Sequence, residues 1–210
     1  MTVHTKQLTL YSFRRCPYAM RARMALSYAK LNYTLREVDL KNKPEALLTA
    51  SPKGTVPVLV VNESQIIDES LDVVAWVSKQ TNQPLDFDIN QHPWVEKLHQ
   101  AFLPTMHRFK YPERYPEVDQ AENLIHINEF LLSLDGWLAT EKEHMNPWVE
   151  IALFPLIRQL WIIDGGWAHV DVPNVTKWVD SISQSESFVR VMEKYPVWQP
   201  EATEPVVINF

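Results

Sequence analysis

The hydrophobic period changes repeatedly over the first eighty residues, and the order of these changes restricts the fold more than any other feature of the chain. An apolar, β-branched run at residues 8–13 predicts a strand, and apolar residues spaced three and four apart after Pro17 predict a helix. The pattern then predicts a strand, a short helix, a two-stranded hairpin and a closing helix at residues 34–40, 44–49, 58–61, 65–67 and 70–79. The order βαβαββα is typical of a thioredoxin-like domain, not of a plain alternating α/β repeat.

The second half of the chain has helical periodicity almost throughout, as in the stripe Leu124, Ile127, Leu131, Leu134 and Leu138. A mostly apolar segment at 148–163 predicts a buried central helix, for which Asn146 is a candidate N-cap and Pro147 the first helical residue. Polar residues and prolines without periodicity at 84–93 predict a linker. We therefore predict an α+β protein with a thioredoxin-like domain at 1–83, a linker at 84–93 and an all-α domain at 94–210.

Charge and hydropathy argue against several classes of partner. The formal net charge of −6 comes from interspersed acids and bases, which is not the footprint of a protein that binds nucleic acid or anionic membranes. No stretch reaches the roughly 18 apolar residues of a membrane helix, and residues 1–8 lack the layout of a signal peptide. We expect a cytoplasmic protein whose partners are small molecules or proteins.

Residue counts exclude other kinds of site. A single cysteine leaves no internal disulfide and no dithiol CxxC pair. The seven histidines are scattered without the spacing of a helical metal site, so no metal is expected. With four glycines, the phosphate-binding patterns GxGxxG and GxxxxGK are absent as well.

The cysteine, Cys16, lies between the first predicted strand and the first predicted helix. Unpaired amides and the positive end of the helix dipole stabilise a thiolate there, and Arg14 and Arg15 act in the same direction. We therefore expect the pKa of this thiol to lie below the usual value of about 8.5. The alternative is that a lone cysteine serves as a small buried apolar residue.

Two further segments have the residue types of a binding site. Pro57 begins a strand that we expect to be central, where proline cannot donate to the sheet, so a special backbone is implied. Asp68, Glu69 and Ser70 open the last helix of the first domain, where a carboxylate, a hydroxyl and free amides are suited to an amino acid head group. A plain N-cap with acids in the first turn is the alternative.

Four motifs in order, RRCPYAMRARMAL after the first strand, DLKNKPEAL, GTVPVL and DES before a helix, resemble the glutathione transferase superfamily, and its Omega class most closely. The resemblance covers the N-terminal domain in register and the helical half more loosely. It implies that Cys16 is the catalytic residue that forms a mixed disulfide with glutathione, the co-substrate. It also implies a set of glutathione-binding residues: Tyr18, Lys43, Val56, the cis-proline Pro57, Glu69 and Ser70.

Within that set the resemblance gives each end of the tripeptide its own partners. Lys43 is expected to meet the glycine carboxylate, and the backbone of Val56 the cysteinyl part. Glu69 and Ser70 are expected to hold the γ-glutamyl end. For the apolar second substrate, the candidates are Tyr111, Tyr115, Trp161 and Trp167, with the alternative that these aromatic residues belong to the core.

The leading hypothesis is a thiol transferase that reduces mixed disulfides, or a small oxidant such as dehydroascorbate, at the expense of glutathione. One alternative is conjugation of glutathione to an electrophile, with Tyr11 or Ser12 activating the glutathione thiol. Another is a non-catalytic, transferase-like binding or regulatory protein. The resemblance to this family also implies a homodimer.

Overall fold

The computed structural model of the protein describes residues 6–167, 169–200 and 204–210. The first five residues of the predicted first domain, together with Ala168 and residues 201–203 of the predicted second domain, lie outside the described residues. The chain divides into two compact units. One contains the residues up to Asp86 and those from Glu186 onward, and the other contains Phe87–Ser185.

The strands of the described chain are β1 (Leu8–Ser12), β2 (Tyr33–Glu37), β3 (Val58–Val61), β4 (Gln65–Ile67) and β5 (Val206–Ile208). The α-helices are α1 (Pro17–Tyr28), α2 (Glu45–Ala50), α3 (Ser70–Ser78), α4 (Pro93–Lys97), α5 (Leu103–Lys110), α6 (Gln120–Glu141), α7 (Pro147–Asp164), α8 (Pro173–Ser183) and α9 (Glu186–Val191). A π-helical turn at Leu98–Phe102 joins α4 to α5.

The first unit is a mixed sheet with the strand order β4-β3-β1-β2-β5. Strand β1 runs parallel to β2 and antiparallel to β3, which is the arrangement that a βαβ unit followed by a hairpin produces. Leu8, Leu10 and Tyr11 of β1 are buried at the centre of the sheet, and α1 packs against α3. The predicted thioredoxin-like domain with a helical domain following it is confirmed as the fold class.

The second unit is helical throughout its regular structure. Side chains cap its helices as the sequence favours: Asp119 accepts from the first amides of α6, and Asn146 Oδ1 accepts from Trp148 N at 2.9 Å at the start of α7. Asp135 of α6 caps α8 from a distance by accepting from the amides of Asn174 and Val175. The predicted N-cap role of Asn146 is confirmed.

The segment from Glu186 onward belongs to a different unit from the one that the sequence predicts. We expected residues 94–210 to form one helical domain, but the segment from Glu186 onward belongs to the sheet unit. The physical reason is that Val206–Ile208 pairs antiparallel with β2 as a fifth strand, and that the amide of Trp198 donates to the carbonyl of Glu37 at 2.7 Å. The division between the units follows Asp86, inside the predicted linker.

Two arginines also depart from the predicted pattern. In the sequence, Arg21 and Arg23 lie outside the apolar residues spaced three and four apart along α1, so helical spacing predicts them on other faces, yet their exposed fractions are 0% and 2%. The helix has almost no polar face, because Met20, Ala22 and Leu26 are buried around them. Both guanidinium groups therefore lie inside the unit and need polar partners there.

Across the described ranges, no helix combines the length and the apolar character that crossing a membrane requires. The same residues contain no group of three or more His, Cys, Asp or Glu side chains arranged to hold a metal ion.

Candidate active site

Cys16 is the N-cap residue of α1, with extended backbone angles of φ −74° and ψ 120°. Its amide donates to the carbonyl of Phe13 at 2.9 Å, which closes the tight turn between β1 and the helix. Because Pro17 has no N–H, the first amides available at this helix start are those of Tyr18 and Ala19, and the Cys16 side chain does not cap them. The sulfur lies at the positive end of the helix, where a thiolate is stabilised.

The half-buried sulfur also contacts the segment before β3. Cys16 Sγ donates to the carbonyl oxygen of Val56 at 3.7 Å, and it packs against the apolar cluster that contains Ala19 and Val56. The peptide bond between Val56 and Pro57 is cis, as the thioredoxin-like context predicts. The sequence-predicted Cys16, Val56 and Pro57 are therefore brought together from positions forty residues apart.

Gly54 shapes the same segment and has a φ of +60°, a backbone conformation that favours glycine. A Cβ on Gly54 would lie 2.9 Å from Leu48 Cδ2 and 3.3 Å from Lys43 Nζ. Lys43, the predicted ligand, is exposed, and its ammonium group lies directly over the backbone of Gly54. The absence of a side chain at Gly54 leaves the space that Lys43 occupies.

Asp68, Glu69 and Ser70 lie at the start of α3, where Glu69 is the N-cap residue. Lys53 Nζ forms ion pairs with Glu69 at 2.6 Å and with Asp68 at 3.5 Å. A hydrogen bond from Ser51 Oγ at 2.8 Å, followed by the charge of Lys53, holds the pKa of Asp68 below its usual value. The sequence did not predict Lys53 or Ser51, which precede Gly54 in the loop before β3.

The buried arginines of α1 connect these parts. Arg21 Nη1 donates to Ser70 Oγ at 3.3 Å, and Arg23 Nη2 donates to the carbonyl of Arg14 at 2.6 Å. Arg23 also lies 4.0 Å from the carboxylate of Glu37, which accepts from the backbone amide of Arg14. The buried Arg23 and Glu37 therefore hold the backbone of the turn that carries Cys16.

Burial determines the protonation of this cluster. It lowers the pKa of Arg21 to about 10, against the opposing effects of Tyr18 and Cys16, so the guanidinium stays charged at neutral pH. Burial likewise raises the pKa of Tyr18, whose ring centroid lies 5.6 Å from the Arg21 guanidinium. It also raises the pKa of Glu37, although the Arg14 amide and the charge of Arg23 act in the opposite direction.

The two flanking arginines, Arg14 and Arg15, make different contacts. Arg15 is exposed and its guanidinium lies 5.5 Å from the ring centroid of Phe13, while Arg14 contributes its backbone amide and carbonyl to the buried cluster. Arg21 and Arg23 are the buried charged residues beside the site that the sequence did not predict. The available signal was the lack of a polar face on α1, which leaves no solvent side for these two charges.

The four aromatic candidates for a second-substrate site lie in the helical unit. Tyr111 and Tyr115 flank a single turn of 3₁₀ helix, and the guanidinium of Arg114 lies 4.4 Å from the ring centroid of Tyr111. Trp161 is on α7, and Trp167, buried and with a φ of +61°, follows that helix. Within the described ranges no ring contact joins the tyrosines to the tryptophans, so their shared role stays a prediction.

Residues 10–85 match the family model for the glutathione S-transferase N-terminal domain. The N-terminal region is therefore similar to the N-terminal domain of glutathione S-transferases. The chain is 39% identical over 64 residues to glutathione S-transferase omega-2 of Rattus norvegicus, a stretch that covers 30% of this chain and 26% of the relative. The predicted resemblance to the glutathione transferase superfamily, and to its Omega class, is confirmed.

Two longer matches extend over both halves of the chain. The chain is 25% identical over 185 residues to the probable glutathione S-transferase DHAR2, chloroplastic, of Oryza sativa subsp. japonica, covering 84% of this chain and 65% of the relative. A glutathione transferase structure from Burkholderia graminis, with two glutathione molecules bound per subunit, has a TM-score of 0.75 at 17% identity and covers 96% of this chain and 92% of its own. The second match supports the fold.

Proposed function

We propose that this protein is a glutathione-dependent thiol transferase or reductase that acts through a mixed disulfide between Cys16 and glutathione. The observation that carries the proposal is the position of Cys16, which is the N-cap of α1 with its sulfur 3.7 Å from the Val56 carbonyl oxygen. A sulfur at a helix start is stabilised as the thiolate, which is the nucleophile in disulfide exchange.

The exchange proceeds in two balanced steps. The Cys16 thiolate attacks the glutathione sulfur of a mixed disulfide, the substrate S–S bond breaks, and the substrate leaves as a thiolate that takes up a proton. The thiolate of a second glutathione then attacks the Cys16–glutathione disulfide, which releases oxidised glutathione and restores the Cys16 thiolate. Because Cys16 is the only cysteine of the chain, the second thiol has to come from glutathione.

The proposed glutathione site follows the order of the tripeptide. Lys43 meets the glycine carboxylate, the backbone of Val56 beside Pro57 pairs with the cysteinyl part, and Glu69 with Ser70 holds the γ-glutamyl end. The family match of residues 10–85 and the glutathione bound in the Burkholderia graminis relative support this assignment. Tyr18, next to Cys16 in the first turn of α1, completes the proposed site.

The ion pairs of Lys53 add a condition to glutathione binding. Lys53 already contacts Glu69 and Asp68, so the α-ammonium group of the ligand has to share these two carboxylates with it. Two acids and one lysine leave a net negative charge for that ammonium group. A small oxidised or electrophilic second substrate, a homodimeric state and a cytoplasmic location belong to the proposal as well.

Conjugation of glutathione to an electrophile is less consistent with the site. Its fallback residues, Tyr11 and Ser12 of β1, are both buried, with exposed fractions of 3% and 0%. The hydroxyl of Tyr11 already accepts from Arg36. A residue that activates the glutathione thiol has to reach the ligand, as the half-buried Cys16 at the helix start is placed to do.

The test is the covalent intermediate. After incubation with oxidised glutathione, intact mass spectrometry should show one glutathione on the wild-type chain and none on Cys16→Ala or Cys16→Ser. Both variants should lose reduction of a mixed disulfide, because neither side chain forms the intermediate, while glutathione affinity measured by calorimetry is retained. The rate of Cys16 alkylation should titrate below about pH 8.5, the usual pKa of a cysteine thiol.

Full disulfide reduction by Cys16→Ala would overturn the thiol-exchange mechanism. If that variant instead lost glutathione binding together with activity, Cys16 would have a structural role. Conjugation to a chlorinated nitrobenzene, measured in all three proteins, separates the transferase alternative. A gain of conjugation in Cys16→Ser alone is compatible with the proposal, because a hydroxyl at a helix start can donate to the glutathione thiolate.

A further inference from the structure

Arg21 is fully buried in the second turn of α1 and reaches a residue of the neighbouring helix. Its Nη1 atom donates to Ser70 Oγ at 3.3 Å, and α1 packs against α3 along this contact. Ser70 is itself buried, with an exposed fraction of 7%, at the first position of α3. A buried cation therefore holds the side chain that the proposed γ-glutamyl site uses.

The chemistry of the two groups determines the direction of this hydrogen bond. A guanidinium group has donors and no acceptor, so the Ser70 oxygen has to accept. Burial lowers the pKa of Arg21 to about 10, although Tyr18 and Cys16 oppose this shift. The guanidinium group therefore keeps its proton at neutral pH and can only donate hydrogen bonds. The hydroxyl hydrogen of Ser70 is then free to donate elsewhere, and among the described residues the structure shows no acceptor for it.

Around Ser70, one set of groups donates hydrogen bonds and another set accepts them. The Ser70 hydroxyl and the first amides of α3 are donors that suit an anion. The preceding Asp68 and Glu69 are acceptors that suit a cation. The γ-glutamyl end of glutathione has both, an α-carboxylate and an α-ammonium group, and the carboxylate matches the donors on the Ser70 side.

We propose that Arg21 is a positioning residue that fixes the Ser70 hydroxyl as a donor toward the α-carboxylate of a γ-glutamyl ligand. This inference rests on the proposed function, because it assigns a polarity to the glutathione site. Its consequence is specificity: the site discriminates in favour of ligands that carry the α-carboxylate. Without Arg21 the Ser70 hydroxyl rotates freely, so the site loses its preference for ligands that carry the α-carboxylate.

The experiment compares two probes, glutathione and the analogue 4-aminobutanoyl-cysteinylglycine, which lacks only the α-carboxylate. The quantity measured is the ratio of their dissociation constants by calorimetry, at a temperature where every variant is folded. Wild type should prefer glutathione by about tenfold or more, equivalent to about 1.4 kcal/mol. Ser70→Ala and Arg21→Met should each reduce this preference several-fold, whereas Arg21→Lys, which keeps a donor-only cation, should retain most of it.

The double variant Arg21→Met with Ser70→Ala distinguishes positioning from a general charge effect. If Arg21 acts through Ser70, the double variant has the same ratio as Ser70→Ala alone. Arg23→Met is the matched control, since it removes a buried guanidinium of the same helix that contacts Arg14 and Glu37 and not Ser70. Its ratio should equal that of wild type.

An unchanged ratio in Arg21→Met, or additive losses in the double variant, would overturn the role of Arg21 while leaving the proposed function intact. A wild-type protein that binds neither probe would overturn the proposed function and this inference together. Circular dichroism and thermal unfolding check that each variant is folded. If Arg21→Met does not fold, Arg21→Gln takes its place, because its amide can accept from Ser70 and reverse the hydrogen bond.

Discussion

The two charged clusters beside Cys16 have opposite environments. Below α1, the guanidinium groups of Arg21 and Arg23 are almost completely buried and bind a hydroxyl, a backbone carbonyl and a carboxylate. At the start of α3, the side chains of Lys53 and Glu69 are 53% and 63% exposed and pair directly through water-accessible atoms.

The two clusters therefore contribute to different properties: the buried cluster to the rigidity of the fold, and the exposed cluster to the selection of a ligand. A buried ion needs its partners, so breaking a buried pair costs about 3–5 kcal/mol, whereas an exposed pair is worth about 0–1 kcal/mol. The buried cluster therefore fixes the turn that carries Cys16, and the exposed cluster can exchange partners with a ligand at small cost. Substitutions in the two clusters should accordingly affect different properties.

The largest effect is expected from Arg23→Met, compared with Lys53→Met. Arg23→Met leaves Glu37 and the Arg14 carbonyl without their buried partner, so the free energy of unfolding should fall by about 3 kcal/mol or more. Lys53→Met, which removes a cationic side chain from the surface, should change the free energy of unfolding much less than Arg23→Met does, because its ion pairs are exposed to water. Equilibrium urea unfolding of both variants measures the two values, and equal costs would contradict the comparison.

A smaller effect is expected on glutathione affinity, where the exposed residues should dominate. Lys43→Ala and Glu69→Ala each remove a charge from the proposed ligand site and should weaken binding about tenfold, or about 1.4 kcal/mol. Their free energies of unfolding should stay close to that of wild type. Calorimetry with unchanged affinity in both variants would show that the tripeptide site is misplaced.

The smallest effect concerns Asp68, whose pKa is lowered mainly by Ser51 and less by Lys53. A carboxyl group with a lowered pKa stabilises the folded state above its unfolded pKa, and this contribution is lost as the pH falls through its folded value. Ser51→Ala should raise the pKa of Asp68 toward its usual value, and the loss of this hydrogen bond should cost about 0.5–1 kcal/mol at neutral pH. Carboxyl NMR titration checks this, and a larger rise in Lys53→Met would reverse the order of the two causes.

The sequence predicted those parts of the site that local backbone chemistry determines. Residues 58–61 and 65–67 were predicted as a hairpin and form β3 and β4 with these bounds. The N-cap position of Cys16 follows from Pro17 and from the change of period around it. Such features depend on neighbours a few residues away, which a single sequence contains.

The buried arginines and the fifth strand depend on distant partners. Buried Arg21 donates a hydrogen bond to Ser70 of another helix, and the periodicity of α1 alone does not reveal that partner. Strand β5 has three residues, which is too short for an alternating pattern to identify. Its pairing with β2 is a property of the tertiary structure, and so is the assignment of the last residues to the sheet unit.

The pairing of β2 with β5 also has a consequence for the order in which the chain folds during synthesis. Tyr33 pairs with Ile208, so the edge of the sheet is closed by residues that leave the ribosome after the whole of Phe87–Ser185. Contacts between residues so far apart in the sequence form late, because the loop between them has to close first. The β2 edge of the nascent domain therefore stays unpaired throughout synthesis of the helical unit, and an unpaired strand edge is a site where another chain can pair.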